Sequence, residues 1–227
     1  MDTSRSIIEK YESSLDDLGI IILQIEKNDL DKGLKSLCGA ASSLSLKNYR
    51  LYSFLIEISI AKNFSVISIY EGILQCYLFL GFPRAIEGLK RLQRLFMENG
   101  VDFRPPIEDK RTEYLSDGIR LCKRIYRDKY PSLMEKMKTY SPELAKWMLM
   151  EGYGRVLSRD GLSAKSRELI AVSALVSEGV PNQLSAHIRG ALNVGAKPEE
   201  LAAVFDLLKV WVDADYINEA YVILKRL

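Results

Sequence analysis

The chain has 227 residues, of which 48% are hydrophobic and 27% charged, and 32 Lys and Arg against 30 Asp and Glu leave a net charge of +2. That length holds a sizeable core in one or two domains, and the near-neutral balance removes the electrostatic case for nucleic acid or an anionic membrane as partner. No apolar run approaches the roughly 20 residues of a membrane span, and the polar start Met1-Asp2-Thr3-Ser4 does not read as a signal peptide, so the expected location is cytoplasmic.

Almost every segment carries helical periodicity. Ile8, Tyr11, Leu15, Leu18, Ile22 and Ile25 form one apolar stripe, read as a single first helix. Asp29 is the expected cap of a second, with Leu30, Leu34, Leu37 and Ala41 on its inner face. Further helices are predicted over 46–61, 65–79 and 84–97, the last two parted by Gly81-Phe82-Pro83 and the last ended by Asn99-Gly100. Residues 100–106 read as a linker, followed by a charged helix over 108–127 and a helix opened by Pro131. Ser141, Pro142 and Glu143 agree as cap, first position and first-turn carboxylate of another. Ser163 caps a helix over 164–177, Pro181 opens the next, Gly195 ends it, Pro198 starts another and Asp213 caps the last. No alternating β-branched run competes, so the fold class is all-α, with eleven or twelve helices expected.

Two stretches resemble each other. Gly72-Ile73-Leu74-Gln75 with Pro83 is similar to Gly190-Ala191-Leu192-Asn193 with Pro198, at offsets of 118 and 115. They suggest tandem helical pseudo-repeats. The organisation expected is N-terminal helices over 1–44, a degenerate first copy over 45–106, connecting helices over 107–140 and a second copy over 141–227.

The three cysteines, Cys38, Cys76 and Cys122, are too far apart for a redox pair and read as buried thiols. One histidine and scattered cysteines give no metal-ligand spacing, so no metal is expected. His187 is that single histidine, the one side chain with an ordinary pKa near neutrality. It lies in Gln183-Leu184-Ser185-Ala186-His187-Ile188-Arg189-Gly190-Ala191-Leu192-Asn193-Val194-Gly195.

This run, with Tyr153-Gly154-Arg155, Arg167-Glu168-Leu169-Ile170 and Pro198-Glu199-Glu200-Leu201, resembles the carboxymuconolactone decarboxylase family. The resemblance covers about 141–210 and is faint over 46–97. It implies an alkylhydroperoxidase D-like helical fold and a homo-oligomer, a trimer for a fused pair of copies. In the peroxidase branch of that family, cysteines stand seven and four residues before the histidine. Here those places hold Val180 and Gln183, while the glutamate nineteen residues before it is present as Glu168.

The resemblance therefore implies a cofactor-free decarboxylase-like enzyme acting on a small carboxylated lactone or related carbonyl acid. His187 and Glu168 would be its catalytic pair. Gln183, one turn before His187, would touch the same ligand. Such a substrate is its own electron sink, so no cofactor is needed. An alkylhydroperoxidase-like antioxidant is disfavoured by the missing thiols, and a non-catalytic binding protein of the same fold is the third reading. Tyr153-Gly154-Arg155 reads as packing around a close glycine contact.

Overall fold

The computed structural model describes residues 3–12, 17–106 and 113–227. Among the described residues there are thirteen α-helices, a 3-10 turn and a π-helix, with no strand. The all-α expectation holds. Among the described residues no single helix is long and apolar enough to cross a membrane.

Among the described residues the N-terminal stripe falls on α1 (Thr3–Tyr11) and α2 (Leu18–Glu26), with Asp17 before α2 in the left-handed conformation; Leu15 of the expected single helix lies outside the described residues. The next helix, α3 (Lys32–Ser45), is capped by Asp31 and not Asp29, because the Asp31 carboxylate accepts from the backbone N–H of Leu34 at 2.8 Å. Then come α4 (Tyr49–Ala61), capped by Asn48, and α5 (Val66–Leu74). Helix α6 (Tyr77–Glu98) begins earlier than expected and is broken inside by Gly81, at φ 78° and ψ 164°, a backbone shape that only glycine adopts freely. It ends at Asn99, with Gly100 at positive φ.

Helix α7 (Tyr114–Tyr126) is followed by the 3-10 turn Arg127–Lys129 and by α8 (Tyr130–Tyr140). The expected start of α7 at 108 lies outside the described residues. Ser141 caps α9 (Pro142–Trp147) as its sequence indicates. A π-helix, Met148–Leu157, continues it, a feature no periodicity announces. The last four are α10 (Ala164–Glu178), α11 (Pro181–Asn193), α12 (Pro198–Leu208) and α13 (Ala214–Arg226), with Ser163 and Asp213 as caps.

Two helices are buried around nearly their whole circumference, α3 from Gly33 to Ser45 and α10 from Arg167 to Ser177. They lie side by side. Ser42 and Ser177 share a hydrogen bond of 2.6 Å, and Ser45 donates to Glu178 at 2.7 Å. Gly39 on α3 lets α4 come close as well, since a β-carbon there would already sit 3.1 Å from Leu55. Around this pair the main core gathers Leu37, Leu44, Phe54, Ile73, Ile170, Ile188, Phe205 and Leu208.

A second, smaller core joins α7, α8, α9 and the π-helix through Cys122, Ile125, Tyr126, Met134, Leu149, Tyr153 and Leu157. Here backbones touch. A β-carbon on Gly118 would lie 1.9 Å from the Leu149 carbonyl oxygen, and one on Gly154 1.9 Å from that of Tyr114. The expected close glycine contact is real.

The helix boundaries carry a period of their own. Helices α3, α4 and α5 begin at 32, 49 and 66, and α10, α11 and α12 at 164, 181 and 198, so each pair of starts differs by 132. The offsets of 118 and 115 expected from the glycine and proline matches would pair α5 with α11 instead, because Gly72 lies in α5 and Gly190 in α11.

Candidate functional site

Helix α11 bridges the two cores. Its Leu184, Ile188 and Ala191 enter the main core, while Ala186 and Val194 pack on the second. His187 therefore stands at the seam. Glu168 reaches the same seam from α10, which Gly179, in the left-handed conformation, turns back into α11.

The two side chains meet: Glu168 Oε2 lies 2.9 Å from His187 Nδ1. Both are buried, Glu168 at 1% exposed and His187 at 6%. Facing a carboxylate, Nδ1 is placed to donate, and Nε2 is the ring nitrogen turned away from Glu168. No hydrogen bond to Nε2 occurs among the described residues, so the outer nitrogen is the one left for chemistry. The Phe79 ring stands edge-on to the imidazole, with centroids 5.2 Å apart at 86°. Gly190, one turn after His187, leaves the space that the carboxylate occupies.

Three further groups surround Glu168 from elements far away in sequence. The Tyr126 and Tyr153 hydroxyls, from α7 and the π-helix, share a hydrogen bond of 2.8 Å. Both phenols are pushed up, Tyr126 by burial and then by the charge of Glu168, Tyr153 by burial, Tyr126 and then Glu168. They remain protonated and available as donors. The Cys122 thiol is pushed up to about 12 by burial and then by Glu168. Sequence reasoning gives Tyr153 and Phe79 to packing and passes over Tyr126 and this placement of Cys122. Only a contact map, not a motif, links them to Glu168. Gln183 is not brought in: it is exposed on the first turn of α11 and makes no hydrogen bond to either member of the pair.

Beside the pair, α5 and α10 are tied by a buried ionic cluster. Glu71 accepts from Arg159 at 2.8 and 2.9 Å and from Arg167 at 3.0 Å, and Arg167 also donates to Gln75 at 3.1 Å. Arg167 precedes Glu168, so this cluster fixes the helix that presents the carboxylate. Among the described residues no group of three or more His, Cys, Asp and Glu is placed to hold a metal ion.

An all-helical protein with a buried Glu–His pair nineteen residues apart is the class that this fold and site define. Residues 142–225 match the sequence profile of the Carboxymuconolactone decarboxylase family, so that this segment is similar to that family. Two curated relatives are both named Peroxisomal protein 2. That of Saccharomyces cerevisiae is 27% identical over 160 residues, covering 59% of this chain and 56% of the relative. That of Schizosaccharomyces pombe is 30% identical over 139 residues, covering 58% of this chain and 62% of the relative. The chain thus spans about three-fifths of the length of these relatives. Their names point to the peroxisome and overturn the cytoplasmic expectation, which rested on a polar N-terminus and the lack of a membrane-length apolar run.

Proposed function

We propose that this chain is a cofactor-free enzyme in which His187, oriented by Glu168, moves a proton on a small carboxylated lactone or related carbonyl acid. The observation that carries this reading is the 2.9 Å contact that commits Nδ1 to Glu168 and leaves Nε2 for substrate. In a decarboxylation the bond from carbon to carboxylate breaks and CO2 leaves. The electron pair passes through the conjugated system to the carbonyl oxygen, and His187, protonated at Nε2 from solvent, gives that proton to carbon and is left as the neutral imidazole. The buried phenols beside Glu168 supply fixed dipoles in a dry site, where they count for more than in water. The relatives' names support placing this chemistry in the peroxisome.

Thiol-dependent peroxidase chemistry is not supported, because burial pushes Cys38, Cys76 and Cys122 each up to about 12. One observation favours a second reading, a binding protein of this fold without catalysis. Two open clefts, of about 840 and 350 Å³, are lined by neither Glu168 nor His187.

The shared offset of 132 supports two tandem units in that register. In it, Glu168 and His187 correspond to Ser36 and Leu55, both buried, so the first unit would hold no acid–base pair. A homo-oligomer, a trimer on the family resemblance, is supported by Tyr140, Leu144, Trp147 and Met150. These are spaced three and four apart and are 66%, 47%, 61% and 36% exposed.

The test of the activity is CO2 release from a panel of γ-carboxylated butenolides and vinylogous keto acids by metal-free protein. Release from at least one class is expected. Binding without release across the panel would favour the non-catalytic reading.

A further inference from the structure

The smaller cleft, about 350 Å³, opens between α6 and the π-helix. Its body is apolar: Leu74, Ala85, Leu89 and Val156 line it, and Phe82 and Ile86 stay 66% and 58% exposed beside it. Its polar groups stand on one wall. Arg155 is aimed by Glu151 at 3.4 Å and by the Tyr114 ring 4.9 Å away, and Arg159 stands next to it. The Tyr77 hydroxyl bonds Glu151 at 2.6 Å, and the Tyr77 ring stacks on Phe82 with centroids 4.9 Å apart. Arg159 is held by the buried Glu71 at 2.8 Å, and Arg155 is the half-exposed guanidinium at the edge of the cleft, its partner Glu151 exposed to solvent beside it.

Both walls have their other side on the Glu168–His187 pair. Two residues after Tyr77, Phe79 lies edge-on to His187. Three residues before Val156, Tyr153 lies within electrostatic reach of Glu168. The break at Gly81 lets Phe79 turn inward while Phe82 turns to the cleft. The π-helix lets Tyr153 and Val156 serve opposite sides of one wall.

We propose that this cleft binds an amphipathic monocarboxylate, its apolar body on Leu74, Phe82, Ile86 and Val156 and its carboxylate on Arg155. An apolar trough with polar groups at one side is the usual form of a small-molecule site, and a planar guanidinium matches a carboxylate. To call the ligand a substrate rests on the acid–base reading; the binding itself does not.

The test is calorimetric titration of the full chain with octanoate, below its aggregation concentration, against octanol and acetate. Octanoate is expected to bind about tenfold tighter than either control. Arg155→Leu lowers octanoate affinity about tenfold and leaves octanol unchanged, while Arg155→Lys retains part of it. Ile86→Trp, a change at an exposed position, fills the cleft and weakens both ligands. His187→Gln binds octanoate as the unaltered chain does. Octanoate bound by a chain that releases no CO2 would leave the cleft standing and remove the acid–base reading. Equal binding of octanoate and octanol, indifferent to Arg155→Leu, would overturn the proposal. So would an Ile86→Trp chain that changes oligomeric state while octanoate binds nowhere, since a second copy would then be the occupant.

Discussion

A β-carbon on Gly190 would lie 2.7 Å from Glu168 Oε2, the same oxygen that bonds His187 at 2.9 Å, so the glycine and the carboxylate share one space. The added carbon would also meet Ile125 at 2.8 Å. Gly190→Ala is therefore expected to push the carboxylate off the imidazole. A helical alanine gains up to about 1 kcal/mol over glycine, and overpacking costs about 1–3 kcal/mol. The net change in stability should stay under about 2 kcal/mol. The imidazole resonances of the single histidine, read by NMR, should shift as the Nδ1 bond is lost. Unmoved resonances in a folded Gly190→Ala chain would contradict this.

Glu71→Ala should be far more damaging. It removes a carboxylate that faces both Arg159 and Arg167, and Arg167 is 2% exposed. Removing one side of a buried pair costs about 3–5 kcal/mol. Urea denaturation measures it, and a loss below about 1 kcal/mol would show that the cluster is not what ties α5 to α10.

Lys35 gives a pH dependence of known sign. Its buried ammonium donates to the Gln24 and Lys27 carbonyls, both at 2.6 Å, and to Asn28 Oδ1 at 3.0 Å. Burial, with Lys32 and Lys27 adding to it and Asp206 and Glu26 opposing it, holds its pKa at about 8 against the usual 10.5. Between those values the unfolded chain carries the proton that the folded chain has shed. Stability contributed by this group therefore rises with pH from about 8 to 10.5, by at most about 3 kcal/mol. Comparing the chain with Lys35→Met across that window isolates it. A difference that falls with rising pH would reverse the account.

The three thiols should be inert in the native chain. With pKa values of about 12, their thiolate share at pH 8 is on the order of 10⁻⁴. An aromatic disulfide reagent should label none of them quickly, and all three once the chain is unfolded. Fast native labelling of Cys122, the thiol beside Glu168, would reopen peroxide chemistry.

The pair itself was legible in the sequence. His187 has no competitor, and Glu168 stands at a fixed spacing one helix earlier. The caps Ser141, Ser163 and Asp213 were legible because each is a local interaction. What surrounds the pair was not. Phe79, Cys122, Tyr126 and Tyr153 arrive from α6, α7 and the π-helix, and no local pattern encodes a contact across such separations. Gln183 shares a helical face with His187 but sits on the first turn of α11, where the chain is still at the surface. The shared offset of 132 between helix starts is not visible in glycine and proline matches, which fall inside helices and in turns. The π-helix leaves no trace in a period fixed near 3.6 residues.

The most direct measurement is turnover of a γ-carboxylated butenolide in deuterium oxide by the unaltered chain, His187→Gln and Glu168→Gln. The account predicts CO2 release with one deuterium placed on the product carbon, lowered about 10²–10⁴-fold by His187→Gln in a chain of unchanged thermal stability. Glu168→Gln should fall in the same direction, since it weakens the orientation of the imidazole. Full activity in His187→Gln would contradict the assignment of the proton to this histidine.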